Sequence, residues 1–200
     1  MNIYFSGDWH LNHANCILYE KRPFIKEGDL INGKWASHNI ATKRVLEMNS
    51  LIINRCNQRV KEDDLLILNG DVGFKSNTNR GEGEPQKPQE LLSKLQCKNI
   101  IIISGNHDKA CRNGLKSVIE KMIIKHGGQR ICIVHNPEHC EFKYKINLTA
   151  HVHNLWKIKR YFYKNNYTDC INIGVDVWDF YPVTWNEINA RYCRWLKAAK

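Results

Sequence analysis

The chain carries no pair of cysteines at C-x-x-C spacing, although it has eight cysteines in 200 residues. They are scattered over positions 16, 56, 97, 111, 132, 140, 170 and 193. That pattern argues against a cysteine-built zinc site and against a disulfide framework; the thiols read as small, reduced, apolar core residues. No apolar run approaches the roughly 18–20 residues that cross a bilayer, so a membrane-spanning helix is excluded. No targeting segment precedes the strand-like residues 3–5, and the expectation is a soluble, cytoplasmic protein. Internal repeats, low-complexity linkers and long charge runs are absent too. What is left is one domain over residues 1–200, long enough to bury its own core.

Positive charge is plentiful. Thirty Lys and Arg against twenty Asp and Glu give a formal charge of +10. A basic surface favours anionic partners such as nucleotides, nucleic acid or phosphoproteins, unless it only reflects a composition biased toward Lys and Asn.

Short apolar runs at 3–5, 65–68, 100–103, 131–134 and 146–150 read as buried strands, and 159–163 and 170–175 as further strands. Residues 36–60 carry an apolar stripe at Ile40, Val45, Met48, Ile52 and Cys56, which predicts a helix capped by Ser37. Shorter helices are expected over 89–95 and 115–122, and residues 11–34 read as irregular. Residues 75–89 read as a polar loop with the position of a lid. Thr184 and Glu187 form a capping box that opens a final helix. Strand, helix, strand from 65 to 103 is a parallel crossover.

Each of five strands runs into a turn bearing Asp, Asn or His. These are Asp8 and His10, then Asp71, then Asn106 and His107, then His135, then His151 and His153. Strand ends are where open α/β sheets place their chemistry. Residues two apart in extended backbone face the same way, so Asp8 and His10 can reach one ion, as can His151 and His153. Any single one of these turns is equally readable as ordinary turn polarity. Five in order are not. Imidazole mixed with carboxylate suits Mn, Fe, Zn or Ni and argues against the all-oxygen cages of Ca or Mg. Seven candidates exceed what one ion needs and suit two ions about 3.5–4 Å apart that share a carboxylate. Asn12, His13, Asn15 and Arg22 follow the first turn and are candidates to line the site. Arg22 has the planar fork that suits a phosphate, with plain loop polarity as the alternative for each.

The set D-W-H, G-D-V-G, G-N-H-D, V-H-N-P and A-H-V-H, from residue 8 to 153, resembles the calcineurin-like metallophosphoesterase superfamily. Asn12-His13-Ala14-Asn15, Arg22-Pro23-Phe24 and Asn172-Ile173-Gly174-Val175-Asp176 resemble its compact microbial and phage branch. The resemblance implies an α/β fold of two packed mixed β-sheets flanked by helices, a four-layer αββα sandwich. It implies two divalent transition-metal ions, manganese first, with iron, nickel or zinc as alternatives. Asp8, His10 and His153 would hold one ion, Asn106, His135 and His151 the other, and Asp71 would bridge them. His107 would face the substrate as a catalytic group beside Asp71, and Asp108 would orient a neighbour. His13, Asn15 and Arg22 would contact substrate. Ala150 departs from the pattern, which has glycine there, and the bulky Trp9 is expected to shape the pocket.

The implied activity is metal-dependent hydrolysis of a phosphodiester or phosphomonoester, of a nucleotide or nucleic acid, by in-line attack of a metal-bridging hydroxide. A phosphoprotein phosphatase and a non-catalytic binding module on the same fold are the alternatives. A module of that kind tends to lack ligands or the catalytic histidine, and all eight positions are filled here.

Overall fold

A computed structural model describes residues 1–74, 88–108, 115 and 117–198. In chain order the elements are β1 (Ile3–Ser6), α1 (Ala14–Tyr19), β2 (Leu30–Ile31), β3 (Lys34–Trp35), α2 (His38–Arg59) and β4 (Leu65–Asn69). There follow α3 (Pro88–Leu92), β5 (Asn99–Ile103), β6 (Val118–Ile119), β7 (Met122–His126), β8 (Gln129–Ile133) and β9 (Ile146–Thr149). The chain ends with β10 (Ile158–Tyr163), β11 (Asn166–Asn172), β12 (Val183–Thr184) and α4 (Trp185–Ala198).

Two mixed five-stranded sheets result, ordered β12-β1-β4-β5-β6 and β10-β11-β9-β8-β7. In the first, β1, β4, β5 and β6 run parallel and β12 closes one edge antiparallel. In the second, the parallel trio β11-β9-β8 is flanked by two antiparallel hairpin partners. The fold is therefore mixed α/β with its sheets flanked by helices.

Alternation along the strands assigns each face. Leu66, Leu68 and Ile102 point to a core shared with α1 and α2, where Ala41, Val45, Met48, Ile52 and Cys56 are fully buried. Phe5, Ile67 and Ile103 point the other way, against Ile131, Ile133, Leu148 and Ile171 of the second sheet. Ile188 and Tyr192 of α4 join that second core. Each such side chain contributes about 1.5–3 kcal/mol by leaving water. A one-residue slip of β4 would exchange its two faces between the cores, so its register is tightly specified. That register fixes where each strand ends, and hence where the site lies.

The helix expected over 36–60 is α2, and Ser37 Oγ accepts the Ile40 N–H at 3.2 Å. Ala41 rather than Ile40 begins its buried stripe. The capping box is formed: Thr184 N–H donates to Glu187 Oε2 at 2.8 Å. Three expectations fail. Residues 115–122 give no described helix; Val118–Ile119 and Met122–His126 are strands. Val118, Ile119 and Met122 match helical spacing, but Met122 and Ile124 alternate with the exposed Ile123 and Lys125, and that period of two prevails. Residues 11–34 are not irregular throughout; they hold α1 and the β2–β3 hairpin, both too short to show a period. The strand expected at 170–175 begins earlier, at Asn166, and gives way to a 3-10 turn over Val175–Val177. The expected lid at 75–89 lies almost wholly outside the described residues.

Candidate metal centre

The five turns meet at one end of the two sheets. Backbone bonds tie them together before any side chain does. Asp8 N–H donates to the Gly70 carbonyl at 3.1 Å, His10 N–H to Asp71 O at 2.9 Å, and Ala150 N–H to His135 O at 2.9 Å. Gly70 and Gly105 make the approach possible, since a Cβ on Gly70 would strike the His135 ring and one on Gly105 would strike Asp71.

The turns are strained where the ligand candidates sit. Asp8, His10, Asp71, His151 and His153 have positive φ angles of 54°, 49°, 50°, 71° and 47°. Left-handed backbone at residues other than glycine costs about 1–3 kcal/mol each and concentrates at functional sites. Asp8 and His10 thus converge through a tight turn rather than along extended chain, and so do His151 and His153.

Three groups of metal-competent atoms form among the described residues, each with its atoms within 4.8 Å of one another: one of His10, His13 and Cys16, and two around Asp71, the first of Asp8, His10 and His153 and the second of Asp71, His135 and His151. Asn106 Oδ1 lies 3.2 Å from His135 Nε2 and 2.9 Å from His151 Nδ1, beside the second group. Asp71 Oδ2 lies between the groups, 3.5 Å from His10 Nε2 and 3.4 Å from His135 Nε2. Asp8 Oδ1 and both ring nitrogens of His10 are buried without a hydrogen-bond partner. A buried polar atom left unpaired costs about 1–3 kcal/mol, and a cation supplies the partner these lack. The residues therefore fit divalent metal ions.

Neighbouring groups aim the candidate ligands. His135 Nδ1 pairs with the Asn69 carbonyl at 2.8 Å, leaving Nε2 for the site. His153 Nδ1 pairs with Asp176 Oδ2 at 2.9 Å, and Asp176 is gripped by Arg22 through two bonds of 2.8 and 2.9 Å. Asp108 accepts the N–H groups of Asp71, Val72 and Gly105 at 2.8, 3.0 and 2.8 Å, fastening two ligand turns together. Asn172 Nδ2 donates to the carbonyls of His153 and Trp156 at 2.7 and 3.0 Å.

Burial raises Asp8 to about 6, partly opposed by His135 and His153. Burial, then the charge of Arg22, drives His10 well below its ordinary value. Burial also lowers His13, to about 4. At His135 burial is outweighed by the Asp71 hydrogen bond and by Asp8, which raise it to about 9. Burial at Asp71 is outweighed by His135 and the His107 amide, and its pKa falls. Asp8 is thus a carboxylate short of cations and His10 and His13 are imidazoles short of protons, while His135 and Asp71 support each other's charge; the first three are what a site built around added positive charge leaves behind.

A family profile described as calcineurin-like phosphoesterase matches residues 1–198. This chain belongs to the calcineurin-like phosphoesterase family. An uncharacterised Methanocaldococcus jannaschii protein, MJ1445, is 29% identical over 187 residues, covering 91% of this chain and 86% of its own. The Aquifex aeolicus protein AQ665, of unknown function, superposes with a TM-score of 0.61 at 18% identity, over 94% of this chain and 98% of its own. A novel archaeal phosphodiesterase of known structure matches at 17% identity with a TM-score of 0.36, over 87% of this chain and 84% of its own.

Several residues of this calcineurin-like phosphoesterase lie elsewhere than their sequence context suggested. Arg22, expected to line the site, is turned into the protein. It is 2% exposed, bonded to Asp176 and to the carbonyls of Asp8 and Trp9. Its planar fork serves a carboxylate inside the protein. Trp9 does not shape the pocket; it is buried in the helix-side core and donates Nε1–H to Ser6 Oγ at 2.7 Å. Asn12 pairs with Asn49 of α2, and Asn15 is half-buried on α1. His13 does stand at the site, its ring 5.6 Å from His10 and 4.2 Å from Phe74. Ala150 is accommodated: its methyl faces Gly7, which has no side chain to oppose it.

Two contributors carried little sequence signal. Phe74 lies 4.9 Å from the His107 ring and walls the site, yet looks like any loop aromatic. Asp176 stands beyond a strand in Asn-Ile-Gly-Val-Asp, and nothing in that motif names His153 as its partner. Asp176→Ala is expected to weaken metal binding at the Asp8, His10 and His153 group about 10–100-fold, by freeing the His153 ring. It also strands the buried Arg22 charge, costing roughly 3–5 kcal/mol of stability. Metal titration and thermal melts read the two effects separately, and Asp176→Asn should recover part of the second.

Proposed function

We propose that residues 1–200 form one cytoplasmic, dinuclear-metal-dependent phosphoesterase domain. It hydrolyses phosphodiester or phosphomonoester bonds of a nucleotide or nucleic acid. The observation that carries this reading is the position of Asp71 Oδ2, within 3.5 Å of imidazoles from two different groups of buried and half-buried histidines and carboxylates. Asp8, His10 and His153 would hold one ion, Asn106, His135 and His151 the other, with Asp71 common to both and manganese the first choice. Bound there, such ions would supply an activated water as nucleophile and positive charge against the phosphate.

The remaining work falls to the chain's own residues. His107 is 42% exposed at its side chain, unlike the buried imidazoles, and its Nε2 lies 3.9 Å from Asp71 Oδ2. It borders the place a phosphate would occupy, free to turn its N–H toward a non-bridging or leaving oxygen. The amide of His107 donates to Asp71 Oδ1 at 2.9 Å, so the same residue orients the shared carboxylate. His13, neutral beside Phe74, forms an aromatic wall behind it. The charge of +10 supports an anionic substrate, and buried cysteines outside any disulfide fit a reducing compartment. No helix among the described residues is long and apolar enough to cross a membrane.

The test is turnover by chelator-stripped protein given Mn, Ni, Zn, Mg or Fe singly, with a 4-nitrophenyl monoester beside the bis-aryl diester. Diester hydrolysis restored by Mn or Ni is the expected result. Faster monoester turnover would redirect the search to nucleotides or phosphoproteins. Two bound ions with no turnover on any ester would favour a binding module instead.

A further inference from the structure

The turn that carries His151 and His153 faces the end of α1 across a cavity of 450 Å³, lined by Tyr19, Glu20, Lys21, Leu155 and the two histidines. That volume falls in the range of small-ligand sites, roughly 300–1,000 Å³. Its walls are braced against each other. Asn154 Nδ2 donates to the Glu20 carbonyl at 2.8 Å across it, while the bond from Leu155 N–H to Val152 O at 3.0 Å closes the histidine-bearing turn on itself. The chain leaves α1 through Lys21 at φ 51°, a reversal that sends Arg22 inward and keeps Lys21 exposed.

The lining is chemically mixed in a particular way. Tyr19 and Leu155 are 69% and 77% exposed, two large apolar groups left in water beside the metal-competent histidines. The Tyr19 ring meets the His13 ring edge-on at 6.5 Å, which ties it to the site. Glu20 Oε1 stands 3.9 Å from His153 Nε2, an acceptor-only group near the catalytic end. Lys21 adds a cation. A phosphate ester held near Asp71 has organic groups to place, and this cavity opens beside His151 and His153. The group that satisfies it has a flat, weakly polar face, hydroxyl donors close to the phosphorus, and tolerance for further negative charge. A ribonucleoside has all three.

We propose that this cavity is the nucleoside subsite of the enzyme. The base stacks on Tyr19 and packs on Leu155, the ribose hydroxyls donate to Glu20, and Lys21 receives any additional phosphate. The inference rests on the hydrolytic reading above, and its test separates the two.

Metal-loaded protein of residues 1–200 would be assayed on adenosine 5′-(4-nitrophenyl phosphate) and on bis(4-nitrophenyl) phosphate, which release the same phenolate. Adenosine monophosphate would be titrated calorimetrically into the same samples. The expected result is a lower KM for the nucleoside ester in the unmodified protein. Tyr19→Ala and Leu155→Ala should each cut the ratio of the two kcat/KM values about tenfold, as lost base stacking does, with matching loss of adenosine monophosphate affinity. Equal kcat/KM for both esters in the unmodified protein would overturn the subsite while leaving the hydrolase intact. So would a Tyr19→Ala change that falls equally on both, or faster turnover of a phosphopeptide. If no ester is turned over with any metal, the hydrolytic reading has failed. Adenosine monophosphate binding, present in the unmodified protein and lost in Tyr19→Ala, then still decides for the subsite, and its absence against it.

Discussion

Asp71→Ala is expected to lose both metal ions at once, taking metal content from about two per chain to near zero and turnover down by roughly 10³-fold or more. The reason is geometric. A single carboxylate oxygen stands 3.5 Å from His10 Nε2 and 3.4 Å from His135 Nε2, with each imidazole in a different group of candidates. A residue serving one ion would face the open imidazole nitrogens of one group only; Asp8 approaches His135 at 4.0 Å, on the Nδ1 side that is paired with Asn69. Asp8→Ala supplies that comparison: Asp8 belongs to the first group alone, and its loss should spare the second ion. Elemental analysis of dialysed protein reads both. Misfolding is controlled by Asp71→Asn, whose amide oxygen can still accept the His107 N–H. It should melt near the unmodified protein while still binding metal poorly, because the bridging negative charge is gone. Two ions retained in Asp71→Ala would sink the bridging assignment, whatever happened to the rate.

The strand ends were legible because they are written locally: a run such as Leu-Leu-Ile-Leu, then Asn-Gly-Asp. Alternation put Ile67 and Leu66 into different cores and fixed where β4 stops. The convergence of five such ends needed the resemblance as well, since no spacing within one turn shows that His135 and His10 approach the same carboxylate. Arg22 shows the limit of residue chemistry read alone. A guanidinium fork suits a phosphate and a buried carboxylate equally, and only the fold supplies Asp176, 154 positions later, as its partner. Phe74 is an aromatic in a short, aperiodic stretch, and its proximity to His107 is wholly tertiary; Tyr19 meets His13 along α1, a helix too short to show a period. Residues 115–122 failed for another reason. Val118, Ile119 and Met122 fit a helical spacing, Met122 fits the two-residue alternation with Ile124 as well, and pairing of β6 with β5 and of β7 with β8 decided the matter at long range.

His107→Ala should separate chemistry from metal binding: turnover falls about 10²–10⁴-fold while metal content stays near two per chain. The side chain is the part at risk, because the backbone N–H that orients Asp71 survives the change. Loss of metal in this variant would mean that His107 is a ligand and its assignment wrong. The size of the rate loss across substrates distinguishes two ways of acting. A proton given to the leaving oxygen matters little for 4-nitrophenolate, which leaves unaided, and greatly for the alkoxide released from a dinucleotide. A hydrogen bond to a non-bridging oxygen matters about equally for both. A loss tenfold or more larger on the dinucleotide than on bis(4-nitrophenyl) phosphate would assign His107 as the general acid. Equal losses would assign it to charge stabilisation at phosphorus, a role its partial exposure beside Asp71 equally permits.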